Sequence, residues 1–121
     1  MSVEEGSRAL LECPGFVPDP RREKYAEFHW YKAQLSDASR DNRVAFLDRT
    51  DGASDSFLDL KGRASVDGNT GILTISSTRV TDDHAYTCDF KDTANGIIKN
   101  QTTLVITGKY YIMYSNNYNK A

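Results

Sequence analysis

The 121-residue chain has no apolar run approaching the ~20 residues a membrane-spanning helix needs, and its longest candidates are broken by Thr, Asp and Lys. It also lacks an excess of positive charge. Fifteen basic side chains against 17 acidic ones leave a net charge of −2, without the basic stripe that a phosphate backbone requires, so nucleic acid is not an expected partner. Histidine is scarce: His29 and His84 show no ligand spacing, which argues against zinc. Asp48, Asp51, Asp55 and Asp59 lie in a polar stretch without the ordered pattern of a calcium loop. No metal and no other cofactor is expected. A nucleophile–base motif and a glycine-rich phosphate loop are likewise missing, so no residue is assigned a catalytic role and the chain is not read as an enzyme. Met1 leads directly into Ser2-Val3-Glu4 with no signal peptide, so any contact with a membrane is expected only through an anchor outside this chain.

What is present fits one domain, since domains run to about 100–150 residues. Hydrophobic residues at 39 % and charged residues at 26 % form an ordinary globular mixture rather than a disordered one. Strand signals recur at short intervals. Ser7–Cys13 places Ala9, Leu11 and Cys13 on one face, and Phe28–Tyr31 separates Phe28 and Trp30 from His29 and Tyr31. Val44–Leu47, a short edge strand Phe57–Leu60, Arg63–Val66, Ile72–Ser76, Ala85–Phe90 and Ile97–Thr107 follow. Asp67-Gly68-Asn69-Thr70-Gly71 and Asp92-Thr93-Ala94-Asn95-Gly96 are dense turn clusters between them. Eight or nine short strands with regular turns predict an all-β sandwich, although a β-trefoil or small barrel fits that count nearly as well. Two cysteines, Cys13 and Cys88, read either as free buried thiols or as one bridge.

Residues at special positions narrow the choice. Cys13, Trp30 and Cys88 stand in the order Cys…Trp…Cys, and Tyr86 lies two residues before Cys88 in Asp82-Asp83-His84-Ala85-Tyr86-Thr87-Cys88. This pattern resembles the immunoglobulin superfamily. The resemblance covers residues 1–107 and implies a sandwich of two antiparallel sheets in Greek-key order, with an inter-sheet disulfide Cys13–Cys88 and Trp30 packed against it. The 75-residue cysteine separation is similar to that of variable-type domains, which have two more strands than constant-type ones. Tyr86 then matches the tyrosine corner, and Arg63 and Asp82 match a salt bridge at the lower end of the sandwich. Leu73 joins Trp30 in the expected core. His84 departs from the pattern, occupying a place where a small residue is usual.

Asn95–Gln101 lacks the Phe/Trp-Gly-x-Gly bulge of antigen receptors. Glu5–Cys13, Val44-Ala45-Phe46 and Leu73–Ser76 are similar to the N-terminal domains of the activated leukocyte and melanoma cell adhesion molecules, and Asp59–Arg63 to the coxsackie and adenovirus receptor and junctional adhesion molecules. Costimulatory ligands and butyrophilins share this general frame. The resemblance implies an extracellular, cell-surface protein–protein recognition domain that binds a like or unlike partner through the sheet of strands G, F, C and C′, with weak homodimerisation among the expectations. A soluble or pathogen-encoded immunomodulatory decoy of the same fold is the alternative.

On that face the expected outward residues are His29, Tyr31, Lys32, Ala45, Leu47, Asp89 and Lys91, since exposed aromatic and apolar side chains anchor interfaces. The long loop Pro14–Glu27 contains all three prolines and the cations Arg21, Arg22 and Lys24, a second place where an acidic partner could dock. Asn100-Gln101-Thr102 is a glycosylation sequon, which together with a disulfide favours an extracellular setting. Residues 108–121 hold four tyrosines and read as a tail, a linker or the start of a following domain.

Overall fold

A computed structural model describes residues 1–17, 27–92 and 96–108. Nine strands run β1 (Ser2–Glu4), β2 (Ala9–Leu11), β3 (Glu27–Tyr31), β4 (Arg43–Asp48), β5 (Ser54–Ser56), β6 (Ala64–Val66), β7 (Leu73–Ile75), β8 (His84–Asp92) and β9 (Gly96–Thr107). They form a six-stranded sheet in the order β1-β9-β8-β3-β4-β5 and a three-stranded sheet in the order β2-β7-β6. Alternation explains the layering. Ala9 and Leu11, Leu73 and Ile75, and Phe28 and Trp30 point inward from their strands and are fully or almost fully buried, as a half-solvated strand requires.

The core lies between the sheets. Trp30, Phe28, Tyr86, Phe90, Leu60 and Leu104 are at most 2 % exposed. Each such side chain contributes roughly 1.5–3 kcal/mol relative to staying in water. A disulfide joins Cys13, just beyond β2, to Cys88 on β8, with Cα atoms 5.5 Å apart, and so ties one sheet to the other. Closing a loop of this length stabilises the fold by roughly 4 kcal/mol in the chain-entropy account. Trp30 is the cross-strand neighbour of Cys88, and its indole Nε1 donates to the Gly71 carbonyl at 3.0 Å. Gly71 has φ +74°, and a Cβ there would lie 2.6 Å from the Phe28 ring, so only glycine fits the turn against the core. Phe16 completes an aromatic cluster, with edge-on contacts to Phe28 and Phe90 at 5.0 and 5.3 Å.

The lower end is closed by a carboxylate. Arg63 forks onto Asp82 with Nη2 2.9 Å from Oδ1 and Nη1 3.0 Å from Oδ2, and Asp82 is fully buried. Asp82 Oδ2 also accepts the Arg79 N–H, and its backbone carbonyl accepts the Tyr86 hydroxyl at 2.8 Å, which is the expected tyrosine corner. Burial alone raises the Asp82 pKa, but the Arg63 fork and the Arg79 N–H hold it below the usual carboxylate range. Hydrogen bonding to Asp82 in turn raises the pKa of Arg63. His84 is accommodated because its ring stays exposed, with Nδ1 2.9 Å from the Ala85 carbonyl oxygen.

Three local expectations change. The edge strand is Ser54–Ser56, not Phe57–Leu60. Leu58–Leu60 is instead a single 3₁₀ turn that buries Leu60, leaves Leu58 59 % exposed and holds Leu58 at φ +55°. The sheets are not wholly antiparallel, because β1 runs parallel to β9 with Val3 opposite Ile106. Of Ser7–Cys13, only Ala9–Leu11 enters the ladder. The β8–β9 hairpin is antiparallel from His84–Leu104 to Asp92–Gly96, its loop tip lying outside the described residues. So do most of the 14–27 loop, including Arg21, Arg22 and Lys24, and the tail after Gly108.

Candidate partner-binding face

The solvent side of β9, β8, β3 and β4 follows from the pairing register. His29 stands opposite Asp89 on one side and Phe46 on the other, and Asp89 stands opposite Lys99. Side chains of one cross-strand row share a face, so Lys99, Asp89, His29 and Phe46 form a row on the side away from the disulfide. The next row along holds Tyr31 and Arg43, and the row on the other side holds Lys91, Glu27 and Asp48.

At the centre of this face the rings form a ladder. His29 stacks on Tyr31 at 6.5 Å and on Phe46 at 6.0 Å, and Phe46 lies parallel to Phe57 at 5.8 Å. The Arg43 guanidinium carbon sits 4.9 Å from the Phe46 ring centroid and 5.0 Å from that of Phe57. Arg43 Nη1 lies 3.2 Å from His29 Nδ1, and His29 Nε2 lies 3.1 Å from Glu27 Oε2. A guanidinium can only donate, so Nδ1 accepts and the ring proton sits on Nε2, donated to Glu27. The Tyr31 hydroxyl donates to Asp89 Oδ2 at 2.8 Å. Burial, then that hydrogen bond, raises the Tyr31 hydroxyl far above the ordinary phenol range. Glu27, His29, Tyr31, Arg40, Arg43 and Phe46 line an open recess of about 420 Å³.

Of the expected face residues, His29, Tyr31, Asp89 and Lys91 lie on this side, with Tyr31 and Asp89 largely buried by their mutual bond. Three do not. Ala45 is fully buried opposite Trp30. Leu47 pairs with Phe28 on the inner side and reaches toward Gly68 in the β6–β7 turn. Lys32 turns to the lower end, where Nζ bonds Asp59 Oδ2 at 2.6 Å and the Thr81 carbonyl.

The physical cause for β4 is a bulge. Register shifts between Trp30 and Tyr31, so Arg43 faces outward while both Val44 and Ala45 are buried. Carrying the parity of Arg43 forward through that extra residue places 45 and 47 outside and hides Phe46. Phe46, Arg43, Arg40, Glu27 and Phe57 are therefore the residues missed. The one available signal was the bulky aromatic in Val44-Ala45-Phe46-Leu47, which has no phase of its own.

Asn100 lies in the row of Cys88, on the inner side of β9. Its Nδ2 donates to the Pro14 carbonyl at 2.9 Å and lies 2.6 Å from where a Cβ on Gly15 would stand. Among the described residues no group of three or more His, Cys, Asp or Glu side chains is placed to hold a metal ion, and no helix is long and apolar enough to cross a membrane.

Solved structures with this architecture are numerous. The first Ig-like domain of human CD48 antigen superposes with a TM-score of 0.70 at 22 % identity, covering 90 % of this chain and 81 % of that one. A chain from the mouse coronavirus receptor-binding domain complexed with its murine receptor gives 0.68 at 19 % identity, covering 88 % of this chain and 50 % of that one. The CD2-binding domain of CD58 gives 0.58 at 19 % identity, covering 89 % and 52 %. This chain thus spans about half the length of the last two. No curated protein sequence matches significantly. The family model for the immunoglobulin V-set domain matches residues 1–107, the span that carries both sheets, the disulfide and the tyrosine corner, and the chain belongs to that family.

Proposed function

We propose that the domain is an extracellular, cell-surface recognition module that binds another protein through the face formed by β9, β8, β3 and β4, the G, F, C and C′ strands of the family. The V-set family is a family of recognition domains, and that role is the plain consequence of membership. The observation that favours this face is the ladder Tyr31–His29–Phe46–Phe57 on the solvent side, with Arg43 laid across its outer rings. The core between the sheets is complete without Phe46 and Phe57. Part-exposed aromatic and arginine side chains are the types that anchor protein interfaces. The complexes named for two neighbours, a receptor with a viral domain and a CD2-binding domain, are consistent with protein ligands for this fold.

The test is binding of the folded, disulfide-intact domain to a panel of displayed cell-surface proteins, itself included. A specific partner whose binding falls at least about tenfold with Phe46→Ala supports the face. A partner insensitive to Phe46→Ala and to Lys91→Glu, yet lost on altering another surface, refutes it. Weak self-pairing belongs to the same proposal: sedimentation equilibrium at about 0.1 mM should show dimer if a second copy is the ligand. Glycosylation at Asn100 is proposed only with loss of the bond from its Nδ2 to the Pro14 carbonyl, since that nitrogen is the atom a glycan would occupy and is part-buried in the folded domain.

A further inference from the structure

We infer that His29 is a pH-sensitive latch on Arg43, and that mild acid rearranges the β3–β4 face by releasing the guanidinium from the imidazole. The latch is a property of the free domain, so it stands or falls apart from the reading of this face as a partner site. The two ring nitrogens of His29 have different duties. Nε2 carries the hydrogen and donates it to Glu27 Oε2 at 3.1 Å, while Nδ1 offers its lone pair to Arg43 Nη1 at 3.2 Å. A proton taken up from water therefore has one place to bind, Nδ1, and it occupies the lone pair that Arg43 uses. The bond to Glu27 survives in the imidazolium, because Nε2 keeps its hydrogen. The bond to Arg43 does not, since two N–H groups, each on a cation, then face one another. Acid acts on one side of the ring alone.

The surroundings make that event accessible. The His29 side chain is 18 % exposed and lines the open recess, so water reaches it. Imidazole is the ordinary side chain that changes charge between pH 5 and 8, and the neighbouring Tyr31 hydroxyl is held far above that range by burial and its bond to Asp89. Glu27 faces the ring from β3, Asp89 from β8, Arg43 from β4 and Arg40 from the 3₁₀ turn Arg40–Asn42, two carboxylates and two guanidiniums in all. Asp48 and Lys91 lie in the row of Glu27, and Lys99 pairs with Asp89 one strand further out. Once unlatched, Arg43 keeps only its contacts to Phe46 and Phe57 among the described residues. At neutral pH the face thus presents a guanidinium pinned across its outer rings, and in mild acid a loosened one beside a second positive charge.

The experiment is an NMR titration of the folded, disulfide-intact domain from about pH 8 to pH 5, the range in which imidazoles gain a proton. It follows the His29 and His84 ring protons, the Arg43 Nε–H and the ring protons of Phe57, which meets Arg43 and Phe46 rather than the imidazole. The expected result is that the Arg43 and Phe57 signals move with the midpoint of His29. In His29→Gln, neutral at every pH, that movement should be lost. In Arg43→Gln, His29 should still titrate while Phe57 stays still. Arg43 and Phe57 signals that stay fixed while His29 titrates, that follow His84 instead, or that move equally in His29→Gln would overturn the inference, as would a His29 ring that gains no proton in this range. The wild-type curves decide the matter by themselves if either variant folds poorly.

Discussion

Two polar clusters sit on the same sandwich, and each combines arginine, carboxylate and tyrosine. At the lower end Asp82 is fully buried and Arg63 nearly so; the carboxylate accepts the Arg63 fork and the Arg79 N–H, while the Asp82 backbone carbonyl accepts the Tyr86 hydroxyl. On the β3–β4 face Arg43 and His29 are part-buried and Glu27 is exposed, and the Arg40 side chain makes no hydrogen bond or ion pair among the described residues. A charge placed where water cannot reach it must be matched inside the protein, so the lower cluster is committed to holding the fold. A charge at a rim stays hydrated at little cost, so the upper cluster is not required to hold the fold. The same residue types thus hold the fold together in one place and stay accessible to solvent in the other.

The sharpest way to break that contrast is to remove the carboxylate at the centre of the lower cluster. Asp82→Ala leaves Arg63 buried and unmatched and is expected to cost about 3–5 kcal/mol. That is a large share of the ~5–15 kcal/mol that holds a domain together, and thermal melts followed by circular dichroism should show it directly. A Tm close to wild type would mean that the lower cluster is no more structural than the upper.

Acid should separate the clusters next. The folded-state pKa of Asp82 lies below its unfolded value, so its contribution is complete above the unfolded carboxylate pKa of ~3.9 and is lost as pH falls through the lower folded value. Stability of the wild type should therefore fall below about pH 4 more steeply than that of Asp82→Asn, as urea unfolding at stepped pH will report. Parallel slopes would remove Asp82 from the account.

Smaller effects follow. Tyr86→Phe deletes the hydroxyl bonded to the Asp82 carbonyl and should cost about 0.5–1.5 kcal/mol in the same urea measurement. Phe46→Ala, by contrast, removes a part-exposed ring outside the core and is expected to change stability by less than about 1 kcal/mol. Its larger effect should be on partner binding. Reversal of these last two, with Phe46 costing the fold more than Tyr86, would make the face an extension of the core rather than a surface kept for a partner.

The linear chain determined a good deal by itself. Period-two spacing such as Ala9, Leu11 and Cys13 carried the strands, because it depends on residue type and local period. The Cys13–Trp30–Cys88 order and Tyr86 two places before Cys88 carried the sandwich, the staple between its sheets and the closure at Asp82 only through their resemblance to the family pattern. What only folding decided was phase. A single extra residue in the β3–β4 ladder placed Ala45 and Leu47 inside and Phe46 outside, and one left-handed Leu58 turned an expected strand into a 3₁₀ turn. Lys32 was likewise drawn from the face to Asp59 by a partner 27 positions away. Bulges and distant partners are set by how strands meet in three dimensions, and a period-two pattern has no means of recording where it slips.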